Sequence, residues 1–234
     1  MKLEELFDSI ANSTETMKKC IAEYVAVRKM ISDSKRDKKE KTKLFNENDD
    51  RLKIVCDAYL NIMLSKLPYD FTIDCRLIDG TNCKRNFQTW FQHIPASTKF
   101  HDTENGGLLI HCKKLFYNWT KTALQMNVDY PVERMCFVAI THDFCKTTHY
   151  AFDEANNVWI NNYPETTHHA TKSLQIIKDM GIDVSADIEA LILMHMSGFQ
   201  NEEDKLAMSL DARNWLFNLN SIQILQLLNN ADCK

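Results

Sequence analysis

"VERMCFVAITHDFCK", residues 132–146, decides how this chain is read. Pro131 precedes it and suits a helix start, because the N–H that proline lacks would have no partner in the first turn. The stretch is apolar through Phe137, Val138, Ala139 and Ile140, and its pattern predicts a helix over 132–146. His142 and Asp143 then stand side by side inside it. A bare imidazole beside a bare carboxylate is costly to bury unless both are satisfied. A metal ion is one thing that satisfies both.

Outward from this segment, helical patterns dominate. Residues 108–124, 167–180, 185–196 and 221–232 each carry an apolar stripe at helical spacing. Gly181 is placed to close 167–180, and Ser185 to cap 185–196. On the N-terminal side, residues 1–33 predict a helix with a break near Asn12–Ser13, and 50–67 a second one before Pro68. The basic run "SKRDKKEKTK", residues 34–43, reads as their connector. Residues 69–80 alternate and end in Asp79-Gly80, which suits a short strand or an extended arm. Residues 94–107 read as a polar loop, and 147–166 as a loop or small hairpin.

Composition sets the outer bounds. The chain has 234 residues, 44% of them hydrophobic, enough for a sizeable core. Five glycines and four prolines leave few turns, so a mostly helical protein is expected. No apolar run approaches the roughly 18 residues of a membrane span. The N-terminus lacks the apolar centre of a signal peptide, and the eight cysteines show no CxxC spacing. Reduced thiols and a cytoplasmic location are the expectation. A net charge of −4 argues against a general binder of duplex DNA, which is usually basic. The run 34–43 is the local exception, either a solvated connector or a contact for a phosphate-rich ligand.

The histidines carry the chemistry. His111, His142 and His195 each lie on or beside the apolar stripe of a predicted helix. His169 lies on a further helix, and Asp232 continues the Leu225/Leu228 face of the last. One histidine on an apolar face is usually a satisfied core residue. Four histidines and two carboxylates on five successive helices are another matter, because a core does not gain from so many desolvated polar groups. If the faces converge, the groups must pair with each other or with ions. Nitrogen and oxygen donors without thiolates suit Mn, Fe, Co, Mg or Zn. Cys112 and Cys145 neighbour the cluster and read as packing residues.

The order H…HD…H…H…D resembles the HD-domain metal-dependent phosphohydrolases of bacterial and phage type. The stretches that carry the resemblance are "PASTKFHDTENGGLLIH" (95–111), "THDFCK" (141–146), "HHATKS" (168–173), "LILMHMSGF" (191–199) and "LLNNAD" (227–232). It covers residues 94–234. A lone HD pair is weak, whereas five motifs in order are specific. The resemblance implies an all-α fold, an HD-domain helical bundle over 94–234; residues 1–93, outside it, read from their own patterns as a helical N-terminal extension compatible with a lid, a dimer surface or a partner surface. It implies that His111, His142, Asp143 and Asp232 bind one metal. It implies a second metal at His169 and His195, with Asp143 bridging. Lys146 matches a lysine that faces the substrate phosphate. Thr98, Lys99 and His101 match a loop at the site entrance. The chain also departs from the family. Its glycines around the third-motif histidine are His168 and Ala170 here, which leaves His168 or His169 as the ligand. The alignment of Lys172 and Ser173 favours His169. The tryptophan before the fourth histidine is Met194.

The activity so implied is hydrolysis of a phosphoester by a metal-activated water, with two divalent ions about 3.5–4 Å apart. Successive helical residues differ by about 100° in direction, so His142 and Asp143 would approach a metal pair from different angles. A carboxylate can bridge, whereas an imidazole binds one ion. The expected substrate is a nucleotide, a cyclic nucleotide or a short oligonucleotide. Phe100, Phe144, Tyr150, Trp159 and Tyr163 are candidates to stack a base. Two other readings stay open: a 3′–5′ exonuclease on RNA or single-stranded DNA, and a non-catalytic module in which metal holds the fold. The amphipathic N-terminal helices are compatible with a homo-oligomer.

Overall fold

A computed structural model describes residues 2–161, 169–196 and 206–232. His168, Tyr163 and residues 197–199 of the fourth motif lie outside the described residues.

The chain opens with α1 (Leu3–Asp8) and α2 (Ala11–Asp33). The break falls at Ser9–Ile10, where Ser9 Oγ donates to Leu6 O, rather than at Asn12–Ser13. α3 (Lys38–Ser65) begins well before residue 50. The Asp37 carboxylate accepts the Glu40 N–H at 2.9 Å and caps it. Arg36–Glu40 and Lys43–Glu47 then pair at helical spacing. The second half of the basic run is therefore helix, and only Ser34–Asp37 connect.

β1 (Thr72–Arg76) lies inside the expected extended segment and pairs antiparallel with β2 (Asn82–Asn86). The turn uses Gly80 at φ 85° and the Asp79 carboxylate, which accepts both donors of Thr81. The short α4 (Phe87–Phe91) follows, capped by Asn86. α5 (Gly107–Met126), α6 (Val132–Thr141), α7 (Lys146–His149), a hairpin of β3 (Tyr150–Asp153) and β4 (Val158–Asn161), α8 (His169–Asp179), α9 (Ala186–Met194), α10 (Leu210–Leu216) and α11 (Leu219–Asp232) complete the described chain. The protein is thus mostly helical, and the all-α expectation is amended by two small antiparallel sheets. No helix among the described residues is long and apolar enough to cross a membrane.

One core serves both ends of the chain. Leu6, Met17 and Leu60 of α1–α3 belong to the same buried cluster as Phe116, Phe137 and Leu191. α3 packs against α5 and α6. Phe7 meets Phe137 edge-on at 6.2 Å, and Tyr59 lies 6.1 Å from Phe116. Arg134 of α6 ties three elements together. It donates to Asp187 and Ser185 at the start of α9 and reaches Glu4 of α1. Ser185 therefore holds the N-cap position expected of it, but its hydroxyl serves Arg134.

Candidate metal centre

The site is built from helix ends. α5 starts where the loop 94–106 folds back on itself. Gly106 takes a left-handed φ of 79°, and a Cβ on Gly107 would lie 1.8 Å from Asp102 O. Only glycine lets the loop close here, and this closure aims His111, one turn into α5, at the core.

α6 does not run to residue 146. It ends at Thr141, and the chain tightens into turns bonded at i to i+3: Phe144 N–H to Thr141 O, Lys146 N–H to Asp143 O and Thr147 N–H to Phe144 O. Cys145 N–H leaves the ladder and donates to Ser173 Oγ of α8 at 3.0 Å. In such tight turns, side chains three residues apart eclipse one another. That sets the Lys146 ammonium on Asp143 Oδ2 at 2.5 Å.

His142 is fully buried at the end of α6, and its Nδ1 lies 3.1 Å from Ala139 O. His195, at the end of α9, repeats this with Nδ1 2.6 Å from Ile192 O. A carbonyl only accepts, so both Nδ1 atoms carry protons. When these rings are neutral, as metal binding requires, Nε2 is a lone pair facing inward. His142 Nε2 meets His111 Nε2 at 3.2 Å, Asp143 Oδ2 at 3.2 Å and Asp232 Oδ1 at 3.4 Å. His111 Nε2 lies 3.0 Å from Asp232 Oδ1. On the other side of Asp143, Oδ1 is 3.9 Å from His195 Nε2, which faces His169 Nε2 at 3.1 Å.

Acceptors converging in this way can hold a cation between them. Three overlapping groups can each hold a metal ion: His111, His142 and Asp143; His142, His195 and Asp232; and Asp143, His169 and His195. Their ligand atoms lie within 4.8 Å of one another in each group. The donors are imidazoles and carboxylates, which fits Mn, Fe, Co, Mg or Zn. Cys112 and Cys145 are buried beside them but belong to no such group among the described residues.

The electrostatics keep both carboxylates charged and split the histidines. Burial disfavours a charged His142, but Asp143 and Asp232 outweigh it and raise the group to about 10. Burial pushes His195 down to about 3, with His142 adding to the effect. Burial also lowers His111, against the pull of Asp232. Burial would raise both carboxyls, yet Lys146 and His142 hold Asp143 far below the usual range. His111 and His142 do the same for Asp232. Burial opposes the charge on Lys146, and Asp143 restores it.

The structure therefore brings together His111, His142, Asp143, Lys146, His169, His195 and Asp232. The entrance residues differ. Lys99 is exposed and Thr98 half-buried, and Ser97 Oγ accepts the N–H groups of Lys99 and Phe100. His101 is exposed, but its ring lies 5.1 Å from that of His111. Among the stacking candidates, Phe144 is fully buried against Phe87 and Phe91, so it is a core residue. Trp159 is half-buried, with Trp90 at 5.4 Å and its N–H on Asn105. Phe100 is 88% exposed.

Two residues join the site without having been singled out from the sequence. Asp102 forms a fourth metal-competent group with His101 and His111, and Lys114 pairs with it. Its signal was present, since His101-Asp102 is a second adjacent His-Asp pair. His149 lies among His169, Lys172 and Lys146; burial lowers it to about 4, with His169 adding to the effect. Its spacing from Lys146 gave no signal, because it depends on the tight turn that carries the chain into α7.

No protein-family model, curated protein or solved structure matches the chain. The likeness to HD-domain phosphohydrolases rests on the five motifs, and the buried His/Asp groups that could hold a metal are compatible with it.

Proposed function

We propose that this chain is a divalent-metal-dependent phosphoric ester hydrolase of the HD-domain type, acting on a nucleotide or a short oligonucleotide. In this reading residues 94–234 are the hydrolase domain and 1–93 a helical extension. The observation that carries it is the division of Asp143. One oxygen faces His111 and His142, and the other faces His195 and, beyond it, His169. A carboxylate so placed can serve two ions, with His111, His142 and Asp232 on one side and His169 and His195 on the other. Bound there, the ions would supply Lewis acidity and a water acidic enough to attack phosphorus near neutral pH.

The chain's own groups do the rest. The carbonyls of Ala139 and Ile192 lock the rings of His142 and His195 so that Nε2 faces the centre. Lys146 holds a positive charge at the edge of the carboxylate, within reach of a substrate phosphate as a point cation. His101 stands beside His111, its ring 5.1 Å away, and in this reading Lys99 and Thr98 belong to the same entrance loop and Trp159 offers a face for a base.

The exonuclease reading is favoured by one observation. A cleft of about 780 Å³ lies between α2 and α3, lined by apolar residues such as Val27, Met30 and Leu44 and by Lys35, Arg36 and Arg51 against Glu40 and Glu47. Cations outnumber carboxylates in that lining by one, and the basic run 34–43 adjoins it, which favours a longer nucleic acid over a mononucleotide there.

The test is a hydrolysis screen with Mn²⁺ over nucleoside phosphates, cyclic nucleotides and short labelled oligonucleotides, with Asp143→Ala as control. Turnover confined to the wild type supports the hydrolase, and its products separate the two readings. Equal turnover by Asp143→Ala overturns the two-ion reading.

A further inference from the structure

The β1–β2 hairpin sets Cys75 directly opposite Cys83. Leu77 N–H donates to Thr81 O beside the turn, and Phe87 N–H donates to Phe71 O at the open end. Hydrogen-bonded pairs recur at every second residue, so Cys75 and Cys83 occupy one of them. Opposed Cα atoms there are about 5.5 Å apart, inside the roughly 4.4–6.8 Å that a disulfide spans. Opposed Cβ atoms stand about 4.5–5.5 Å apart, where a disulfide needs about 3.5–4.5 Å. A bond can therefore close, but only by drawing the strands together. Bonds closed under strain belong to the readily reduced class.

The pair is wired to the metal centre. Cys75 is buried, and its thiol donates to Thr147 O at 3.4 Å. The same carbonyl accepts the Trp90 indole N–H at 2.9 Å. Thr147 follows Lys146, and β1 packs against the short helix that holds both. A disulfide has no S–H to donate, so closure takes one of two donors from Thr147 O and pulls β1 away from α7.

We propose that Cys75 and Cys83 are a reversible disulfide-forming pair, and that its closure shifts the turn carrying Lys146. The first half stands on the hairpin alone. Its effect on catalysis rests on the hydrolase reading. The oxidant is a small-molecule disulfide such as glutathione disulfide. Burial and the neighbouring Cys83 push the Cys75 thiol up to about 12, so Cys75 stays protonated. Cys83 is half-buried and meets the oxidant first. Its thiolate attacks one glutathione sulfur, the glutathione S–S bond breaks, and one glutathione leaves with the proton that Cys83 gave up. Cys75 then loses its proton and attacks Cys83 Sγ, and the second glutathione leaves and takes up a proton. Two protein thiols are oxidised, and one glutathione disulfide is reduced to two thiols. The second step is the slower, so the Cys83 adduct accumulates before the protein disulfide.

The full chain is treated with glutathione disulfide, its remaining thiols are alkylated, and an unreduced digest is read by mass spectrometry. The expected product joins Cys75 to Cys83 and reopens with dithiothreitol. Cys75→Ser stops at a Cys83 adduct, and Cys83→Ser forms neither. Cys20, the other described cysteine that is not fully buried, is the control, since it takes an adduct with no partner opposite. A Cys83 adduct that persists in the wild type without a cross-link overturns the pair. The Trp90 indole N–H resonance reports the coupling without any activity assay. It shifts on closure, and an unmoved resonance overturns the link to Thr147. Hydrolysis falls severalfold on oxidation and recovers on reduction. Silence in both redox states counts against the hydrolase reading, while the cross-link and the Trp90 resonance still decide this one.

Discussion

His169 Nε2 and His195 Nε2 face each other at 3.1 Å. His195 holds its only proton on Nδ1, against Ile192 O, so its Nε2 brings a lone pair to this contact. The pair therefore suits an ion bound between two helices. His169→Ala is expected to lower bound Mn²⁺ from about two ions per chain to about one, with most hydrolysis lost. Metal analysis after equilibrium dialysis reads this directly. Unchanged metal content would move the ligand role to His168 or another group.

Lys146 is placed by backbone geometry rather than by helix periodicity, since the tight turn stacks it over Asp143. If it serves the phosphate, its loss should spare the metal. Lys146→Met is expected to bind Mn²⁺ at least as well as the wild type, because a competing cation has left Asp143. Its hydrolysis should fall by about one to two orders of magnitude, the scale of losing one charge-assisted contact in the transition state. Parallel loss of metal would instead make Lys146 a support of the ligand set.

Gly107 carries no chemistry, yet the site depends on it. Its substitution by alanine drives a Cβ into Asp102 O. The loop must open or α5 must shift, and His111 moves with it. Gly107→Ala is expected to cost about 3 kcal/mol by urea denaturation, at the upper end of what overpacking typically costs. A loss within about 0.5 kcal/mol, as for an ordinary surface change, would show that the loop adapts freely.

The helices around the site were legible because their apolar stripes are long. Residues 108–124, 185–196 and 221–232 differ from the observed helices by at most two residues at either end. The tight turn at His142–Cys145 was not legible, because nothing in the composition of "THDFCK" separates a continued helix from one that tightens. The deciding partner, Ser173, lies on another helix. β2 was hidden for a different reason: Asn82, Lys84 and Asn86 give it no apolar face of its own. α3 was read too short because a charged first half shows no stripe, although Asp37 and Glu40 at capping distance were there to find.

Asp187 offers a pH test away from the metal ligands. Burial would raise its pKa, but Ser185, Tyr130 and Arg134 outweigh this and hold it below its ordinary 3.8. The folded value is depressed, so the contribution to stability is present above pH 3.8 and is lost as pH falls through the folded value. Thermal unfolding from pH 5 downward should show the loss. Asp187→Asn should flatten that slope and cost about 2 kcal/mol at neutral pH, since Arg134 and Tyr130 lose a charged acceptor. An unchanged slope in Asp187→Asn would assign the acid sensitivity to other carboxyls.

The basic run separates nucleotide from oligonucleotide substrates by distance. α3 and α5 run antiparallel, since Asp49 pairs with Lys121 and Tyr59 meets Phe116. At about 1.5 Å per residue, His111 lies roughly 15 Å along α5 from that ion pair, and Lys38 roughly 16 Å along α3 in the opposite direction. The basic turn is thus about 30 Å from the metal centre, measured along the helices. No mononucleotide spans that distance. Replacing Lys35, Arg36, Lys38 and Lys39 by glutamine should leave mononucleotide turnover unchanged under either reading. If the chain acts on oligonucleotides, the same variant should weaken binding more as the strand lengthens, and it should flatten the dependence of binding on salt. Affinity measured against strand length and salt reads both effects. Equal loss on mononucleotides would mean that the variant disturbs α3 and its packing on α5, and the basic turn would then be no guide to the substrate.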